Sequence, residues 1–170
     1  MIRRRDMLLL GVMGLGGVGL MGRLLIGAKP KPLCEDPLEC QERQTQQDLP
    51  HADDPIWAIL KKCQVSLDRQ AGTYQLVPTP EVQALAGKQV QVKGFVVPLD
   101  GTDRTKDFLI GVNTPVCFYH PPGDPNELME VNAVSPISWT DKPTTIVGTF
   151  TLVQNNQIGV FFKLVDARSA

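Results

Sequence analysis

The sequence is poor in the residues that most often carry out chemistry in proteins. Its 170 residues include only two histidines and four cysteines, and 6% are aromatic. It has no phosphate-binding loop, dinucleotide fingerprint, H-E-x-x-H helix or C-x-x-C-H haem motif. The aromatic residues are not accompanied by clusters of lysine and arginine, and the net charge is −1, so electrostatics favour no nucleic-acid partner. We therefore predict a protein that is not an enzyme and does not bind nucleic acid.

The overall composition is that of an ordinary globular protein. Hydrophobic residues make up 42% of the chain and charged residues 21%, which argues against both disorder and several membrane spans. A chain of this length has room for one domain with its own core and short tails.

The N-terminus has the pattern of an export signal. Three arginines at positions 3–5 precede an uncharged stretch over residues 7–22, whose six glycines make it only weakly hydrophobic. Arg4 and Arg5, with an apolar pair one residue after them, resemble a twin-arginine box. We predict that residues 1–28 are an export signal or, if uncleaved, a helix that anchors the protein in the membrane. Either form places the protein in the periplasm, free or at the periplasmic face of the inner membrane.

Residues 29–53 are predicted to be a flexible linker, because they are rich in polar residues and proline and hold few large apolar side chains. We predict a disulfide between Cys34 and Cys40 within it, with free thiols and a metal pair as alternatives. Residues 1–28 carry four arginines and one aspartate, so the rest of the chain has a net charge of −4 against −1 for the whole. A mildly acidic domain is compatible with a cationic or protein partner.

Residues 54–170 are predicted to form a mainly β domain with one or two short helices. Asp54-Pro55 is a typical helix start, and apolar residues recur at helical spacing up to Cys63, which then points to the core. A second short helix is indicated between Thr79 and Gly87. Alternation with a period of two then predicts five strands, at residues 88–99, 107–112, 127–133, 144–153 and 157–165.

Five strands of this kind suit a small antiparallel, OB-like barrel. Gly94 lies inside the first strand at a change of phase, which indicates a bulge or a sharp bend. Closure of the barrel removes exposed strand edges, and an open sandwich is the competing architecture. Residues 121–126 contain three prolines and are predicted to form a rigid, exposed loop between strands.

Several short motifs follow one another along most of this domain. They are W-x-x-L at 57–60, L-A-G-K-x-V-x-V-x-G-F-V-V-P-L at 85–99, F-L-I at 108–110, a cysteine at 117, P-P at 121–122, P-N-E at 125–127, V-G-x-F at 147–150 and F-F-x-L-x-D-A at 161–167. This series resembles a bacterial family catalogued as domain of unknown function 3299 (DUF3299). The resemblance implies an exported, barrel-type domain without an assigned activity, found in some cases near transporter systems. The family pattern often has a second cysteine shortly after the first, whereas this chain has His120 three residues after Cys117, which argues against dithiol redox chemistry.

Cys117 and His120 form the one arrangement in the sequence that is suited to chemistry. They follow an apolar strand and precede a double proline, and a thiolate and an imidazole at this spacing can reach one zinc or copper ion. The residues that could complete such a site are Cys63, His51, Asp53, Asp54 and Asp124. The competing interpretations are a core cysteine beside a surface histidine and a disulfide between Cys63 and Cys117.

The expected function is that of an exported, non-enzymatic accessory or binding domain of the bacterial envelope, without a cofactor. Its expected partner is a protein of the envelope or of a transporter system, with membrane contact through the N-terminal segment if that segment is uncleaved. Two alternatives remain open: a metal-binding or metal-handling protein that uses Cys117 and His120, and a thiol-dependent enzyme.

Overall fold

The structure, a computed structural model, describes residues 36–116, 121–155 and 157–170. The helices are α1 (Pro37–Gln47), α2 (Pro55–Leu60) and α3 (Pro80–Gln83), and a 3-10 turn covers Pro125–Glu127. The strands are β1 (Gln64–Asp68), β2 (Thr73–Val77), β3 (Gln89–Pro98), β4 (Arg104–Gly111), β5 (Leu128–Ser138), β6 (Thr144–Asn155) and β7 (Val160–Ser169). The prediction of a mainly β domain with short helices is confirmed. The predicted signal or anchor helix at residues 1–28 lies outside the described residues.

The strands form two sheets. β1 and β2 make a hairpin, while β3 to β7 pair in the order β3-β4-β5-β7-β6, which closes on itself because β6 also pairs with β3. Four of these pairings are antiparallel, but β5 and β7 are parallel, so the prediction of a wholly antiparallel arrangement is wrong there. The reason is geometric: strand directions cannot alternate around a closed order with an odd number of strands, so one parallel pair is required.

β3 changes its partner in mid-strand. Residues 89–94 pair with β6, and residues 95–98 pair with β4. Gly94, which the change of phase predicted to mark a bulge or bend, is the last residue before the change. A Cβ at this position would lie 2.6 Å from Ile110 Cγ1 and 2.7 Å from the carbonyl oxygen of Gly111, so glycine permits a close approach of β3 to β4.

The hydrophobic core combines side chains of these five strands with those of α2. Phe108, Phe150 and Phe162 are fully buried, and the rings of Phe150 and Phe162 lie 5.7 Å apart between centroids. Trp57 of α2 is 2% exposed and donates its Nε1–H to the carbonyl oxygen of Lys93 at 2.8 Å. Burial of side chains this large is the main source of the free energy of folding.

The start of α2 agrees with its sequence signal. Asp54 Oδ1 accepts a hydrogen bond from the Ile56 backbone at 3.0 Å, and Asp54 Oδ2 accepts one from the Lys93 backbone at 2.8 Å. One carboxylate therefore caps the helix and ties it to β3. The helix ends at Leu60, three residues before the predicted end, because the chain turns at residues 61–63 to enter β1. Cys63 nevertheless packs into the core, and its thiol is free.

The remaining predicted elements are present with shifted ends. α3 stops at Gln83, earlier than expected, and the predicted stop Gly87 has a φ of +75°. β5 and β7 each extend several residues beyond the predicted strands. The hairpin of β1 and β2 was not predicted, since its residues only alternate between exposed and half-buried and show no strong hydrophobic pattern.

Candidate functional site

α1 lies in the segment that the composition predicted to be a flexible linker, residues 29–53. Asp36 caps the helix by accepting hydrogen bonds from the backbones of Leu38, at 2.6 Å, and Glu39, and Pro37 occupies the first turn. Few apolar side chains anchor the helix, and Gln46 is its buried residue. The prediction of a flexible linker is therefore wrong for the described part of this segment, because polar contacts rather than apolar burial hold it to the rest of the domain.

A pocket of about 300 Å³ lies between α1 and the loop that precedes β5; we call it the polar pocket. On the α1 side it is lined by Arg43, Gln46, Gln47 and His51. On the opposite side it is lined by Lys61, Asn113, Gly123, Asp124 and Glu127. The pocket thus brings together residues from four separate parts of the sequence.

Arg43 connects α1 to the loop across this pocket. Its Nε and Nη2 donate to Glu39 Oε1 at 3.0 and 2.8 Å, and its Nη1 donates to the carboxylate of Asp124. The Arg43 side chain is 18% exposed, so this ion pair is shielded from water more than a typical surface pair. The contact fixes the helix against the 3-10 turn.

Glu127 organises the loop from the other side. Its Oε2 accepts hydrogen bonds from Asn113 Nδ2 at 2.8 Å and from the Asp124 backbone at 3.2 Å, and its Oε1 pairs with Lys61 Nζ at 2.7 Å. Asn113 Nδ2 also donates to the carbonyl oxygen of Pro122 at 3.0 Å. The carboxylate is therefore the acceptor on which three parts of the chain converge.

His51 extends the same network to the segment after α1. Its Nδ1 lies 2.8 Å from Asn113 Oδ1. The Asn113 amide nitrogen already donates to two acceptors, so the atom that faces His51 is the amide oxygen. An amide oxygen can only accept, and Nδ1 is therefore the donor. Backbone contacts support this position: His51 forms a β-bridge with Asn113, and Ala52 donates to the carbonyl oxygen of Val112 at 2.8 Å. Residues 51–52 thus pair with the two residues that follow the end of β4.

The loop at residues 121–127 is less exposed than the sequence predicted. Pro122, Gly123 and Pro125 are buried, and Asn126 donates to the carbonyl oxygen of Cys63 at 3.2 Å. The prediction of an exposed loop is wrong, because Asn113 and the chain around Gly111, Cys63 and Gly159 contact these residues. The ion pair of Asp124 with Arg43 joins the loop to α1.

Burial and charge shift the pKa values of the two loop carboxyls, Asp124 and Glu127, in opposite directions. Burial raises the pKa of Asp124, and the nearby charge of Glu127 adds to the effect, although the ion pair with Arg43 opposes it. Burial also acts to raise the pKa of Glu127, but the hydrogen bond and positive charge of Lys61, with donors from Asp124 and Asn113, outweigh it and lower that pKa.

These opposite shifts predict different effects for two matched substitutions. A lowered pKa means that ionised Glu127 stabilises the folded state at neutral pH and that this contribution is lost as the pH falls. We expect Glu127→Gln to reduce the free energy of unfolding by about 2 kcal/mol at pH 7, and by less in acid. The raised pKa of Asp124 means that folding disfavours its ionised form. Asp124→Asn should therefore reduce the free energy of unfolding at pH 7 by less than Glu127→Gln does. Urea denaturation at pH 7 and in acid tests this, and the reverse order would contradict it.

The predicted site residues fall partly outside the described residues. Arg4, Arg5, Cys34, Cys117 and His120 are among those outside, so the export box, the Cys34–Cys40 disulfide and the metal pair stay predictions. Cys40 lies on α1 and is disulfide-bonded. Of the residues that could complete a metal site, the structure brings His51 and Asp124 to the polar pocket, places Asp54 at the start of α2 and buries Cys63 in the core. Within the described ranges, no group of three or more histidine, cysteine, aspartate or glutamate side chains is placed to hold a metal ion.

The outer side of α1 borders a second pocket, of about 310 Å³, which we call the helix groove. It is lined by Leu38, Gln41, Glu42, Thr45 and Val116. Leu38 is 68% exposed and Val116 is 40% exposed. The groove thus has two exposed apolar side chains in its lining.

Fold and site together define a small, mainly β domain with a helix joined to its side by the ion pair of Arg43 with Asp124. The model of the family described as "Protein of unknown function (DUF3299)" matches residues 35–160, and the chain belongs to this family. The predicted resemblance is therefore confirmed. No curated protein matches the sequence.

The chain is similar to a solved structure. It is the crystal structure of a DUF3299 family protein from Pseudomonas aeruginosa PAO1, which is 19% identical. The match covers 57% of this chain and 67% of that chain, with a TM-score of 0.43.

Across the described part of the chain, none of the helices is long and apolar enough to span a membrane.

Proposed function

We propose that the protein is an exported, non-enzymatic binding domain of the bacterial envelope, in which an OB-like barrel carries a fixed helix that docks onto a protein of the envelope or of a transporter. Support for the barrel comes from the closed strand order with its parallel β5 and β7 pair and from the change of partner at Gly94. Support for export comes from Arg4 and Arg5 and the apolar stretch after them.

The observation that carries the docking proposal is the helix groove. Large apolar side chains that are exposed singly are normal on protein surfaces, but Leu38 and Val116 share one groove. α1 is held in place by the ion pair of Arg43 with Asp124, and His51, just after the helix, contacts both the Gln47 carbonyl oxygen and Asn113, so the groove is ready for a partner without prior ordering of the helix. Hydrogen-bonding groups of Gln41 and Thr45 border the two apolar side chains and supply a polar rim.

The test is capture of a partner by the full-length protein in a bacterial envelope. The tagged chain is expressed, fractionated and cross-linked, and the partner is compared between the wild type, Leu38→Asp and Val77→Asp. Val77 on β2 is 63% exposed and lies away from the lining of the helix groove, so it is a matched control. Burial of a leucine side chain contributes about 1.5–3 kcal/mol, so we expect Leu38→Asp to reduce capture at least tenfold.

Val77→Asp should capture the same partner as the wild type. A partner captured equally by all three chains would contradict docking at the helix groove. A chain that stays in the cytoplasm, or a purified chain that captures no partner and turns over a substrate, would contradict the proposed function as a whole.

A further inference from the structure

The hairpin of β1 and β2 is the one sheet with open edges in the described part of the chain. β3 to β7 pair in a closed order, so each of those strands has a neighbour on both sides, whereas β1 pairs with β2 alone. Within the described ranges, no backbone hydrogen bond joins β1 to residues outside the hairpin. The outer edge of β1 therefore presents a row of backbone N–H and C=O groups with which another strand can pair.

This edge lacks the features by which edge strands usually avoid such pairing, namely proline, lysine and bulges. Gln64–Asp68 contains neither proline nor lysine, and its register with β2 is continuous over all five residues. The one charged side chain, Asp68, accepts two backbone hydrogen bonds in the turn that follows, at 2.9 and 3.1 Å, so it is held in the turn. β2 differs, because it runs directly into Pro78 and Pro80, which have no N–H to donate.

The sequence of β1 is compatible with antiparallel pairing to itself. Only one antiparallel register pairs all five residues with those of a second copy, and it places Ser66 opposite Ser66 and Val65 opposite Leu67. Val65 and Leu67 are half-buried and share one face of the hairpin, so this register joins apolar side chains of the two copies. Gln64 then lies opposite Asp68, so no like charges meet across the pair.

We propose that β1 pairs about a twofold axis with β1 of a second copy of this chain, so that two hairpins form one four-stranded sheet. A strand of this length spans about 17 Å, so the contact is small compared with the interface of a permanent dimer. The dimer is therefore weak, with a Kd on the order of 100 µM. No residue of β1 lines the helix groove, so this surface is separate from the one proposed for docking.

The experiment follows the full chain over a range of concentrations that brackets this Kd. Sedimentation equilibrium measures the dimer, and hydrogen exchange of the backbone amides shows which strand forms it. We expect the mass to rise from monomer to dimer with concentration. The amides that β1 directs to its outer edge should become more protected over the same range, while those at the outer edge of β2 should not.

Two matched lysine substitutions locate the contact. Ser66 and Gln75 are exposed and lie directly opposite each other in the hairpin, so a lysine at either position is tolerated by the monomer. Ser66→Lys places two like charges opposite each other in the dimer and should raise its Kd about threefold. Gln75→Lys adds the same charge on the other strand and should leave the Kd unchanged.

Three results would overturn the proposal. They are a chain that stays monomeric at all of these concentrations, a dimer whose Kd is the same in Ser66→Lys and Gln75→Lys, and protection of the β1 edge amides that does not depend on concentration. The last result would mean that another segment of the same chain covers the edge. Leu38→Asp should dimerise like the wild type, so failure here and failure of the docking proposal are distinguishable.

Discussion

Gly123→Ala should reduce the free energy of unfolding by about 3 kcal/mol, or prevent folding altogether. Gly123 has a φ of +142°, and a Cβ there would lie 2.6 Å from both Asn113 Nδ2 and Glu127 Oε2. Those two atoms are hydrogen-bonded to each other, so a methyl group would disrupt the centre of the network that holds the loop. The loss combines an unfavourable backbone conformation with buried polar groups left unpaired. Urea denaturation measures it.

Gly101→Ala is the matched control for this substitution. Gly101 also has a positive φ, of +68°, but no atom lies within 4 Å of the position of a Cβ. Gly101→Ala should therefore reduce the free energy of unfolding only by the strain of the left-handed backbone, about 1 kcal/mol. Equal losses for the two variants would show that the contacts of Gly123 with Asn113 and Glu127 contribute nothing.

Gly94→Ala should have an effect of similar size for a different reason. A Cβ at Gly94 meets the backbone oxygen of Gly111 at 2.7 Å, and a backbone atom in a paired strand cannot move aside without breaking the pairing of β3 with β4. We expect a loss of about 3 kcal/mol in the free energy of unfolding, from overpacking and displaced strands. Thermal and urea denaturation of the variant test this expectation.

Gly111→Ala provides the comparison on the neighbouring strand. Its Cβ would meet Leu128 Cδ2 at 3.0 Å, which is the end of a side chain that can rotate. The loss should be clearly smaller than for Gly94→Ala. A larger loss at Gly111 than at Gly94 would contradict the close approach of β3 and β4 at the change of partner.

The strands could be predicted from the sequence because their side chains alternate between core and solvent. The change of phase at Gly94 marks the position where β3 changes its partner. The parallel pairing of β5 and β7 could not be predicted from alternation, since a period of two is the same in either strand direction. The closed order of five strands requires a parallel pair, and the structure shows that it is β5 and β7.

α1 shows why the candidate site was harder to predict. Its start, Asp36-Pro37, is the same signal that correctly predicted the start of α2 at Asp54-Pro55. In the prediction, the polar composition of residues 29–53 outweighed this signal. The contact that holds α1 is made with a residue far along the chain, since Arg43 pairs with Asp124. Hydrophobic periodicity contains no information on such contacts.

Part of the polar pocket did have a sequence signal. Asp124-Pro125-Asn126-Glu127 has the acidic residue, the proline and the glutamate three positions later that are typical of a helix start, and the structure has a 3-10 turn there. The roles of His51, Asn113 and Gln46 had no such signal. They depend on the packing of α1 against the loop.

Both the helix groove and the polar pocket require α1 to be a fixed part of the domain. Hydrogen exchange of the backbone amides of α1 in the whole protein measures how firmly the helix is held. An isolated helix of 11 residues is marginal in water, so slow exchange requires packing against the rest of the domain. We predict at least hundredfold protection of the amides at residues 41–47, which falls sharply in Arg43→Ala. Exchange at the rate of an unstructured peptide, or protection unchanged by Arg43→Ala, would contradict the account.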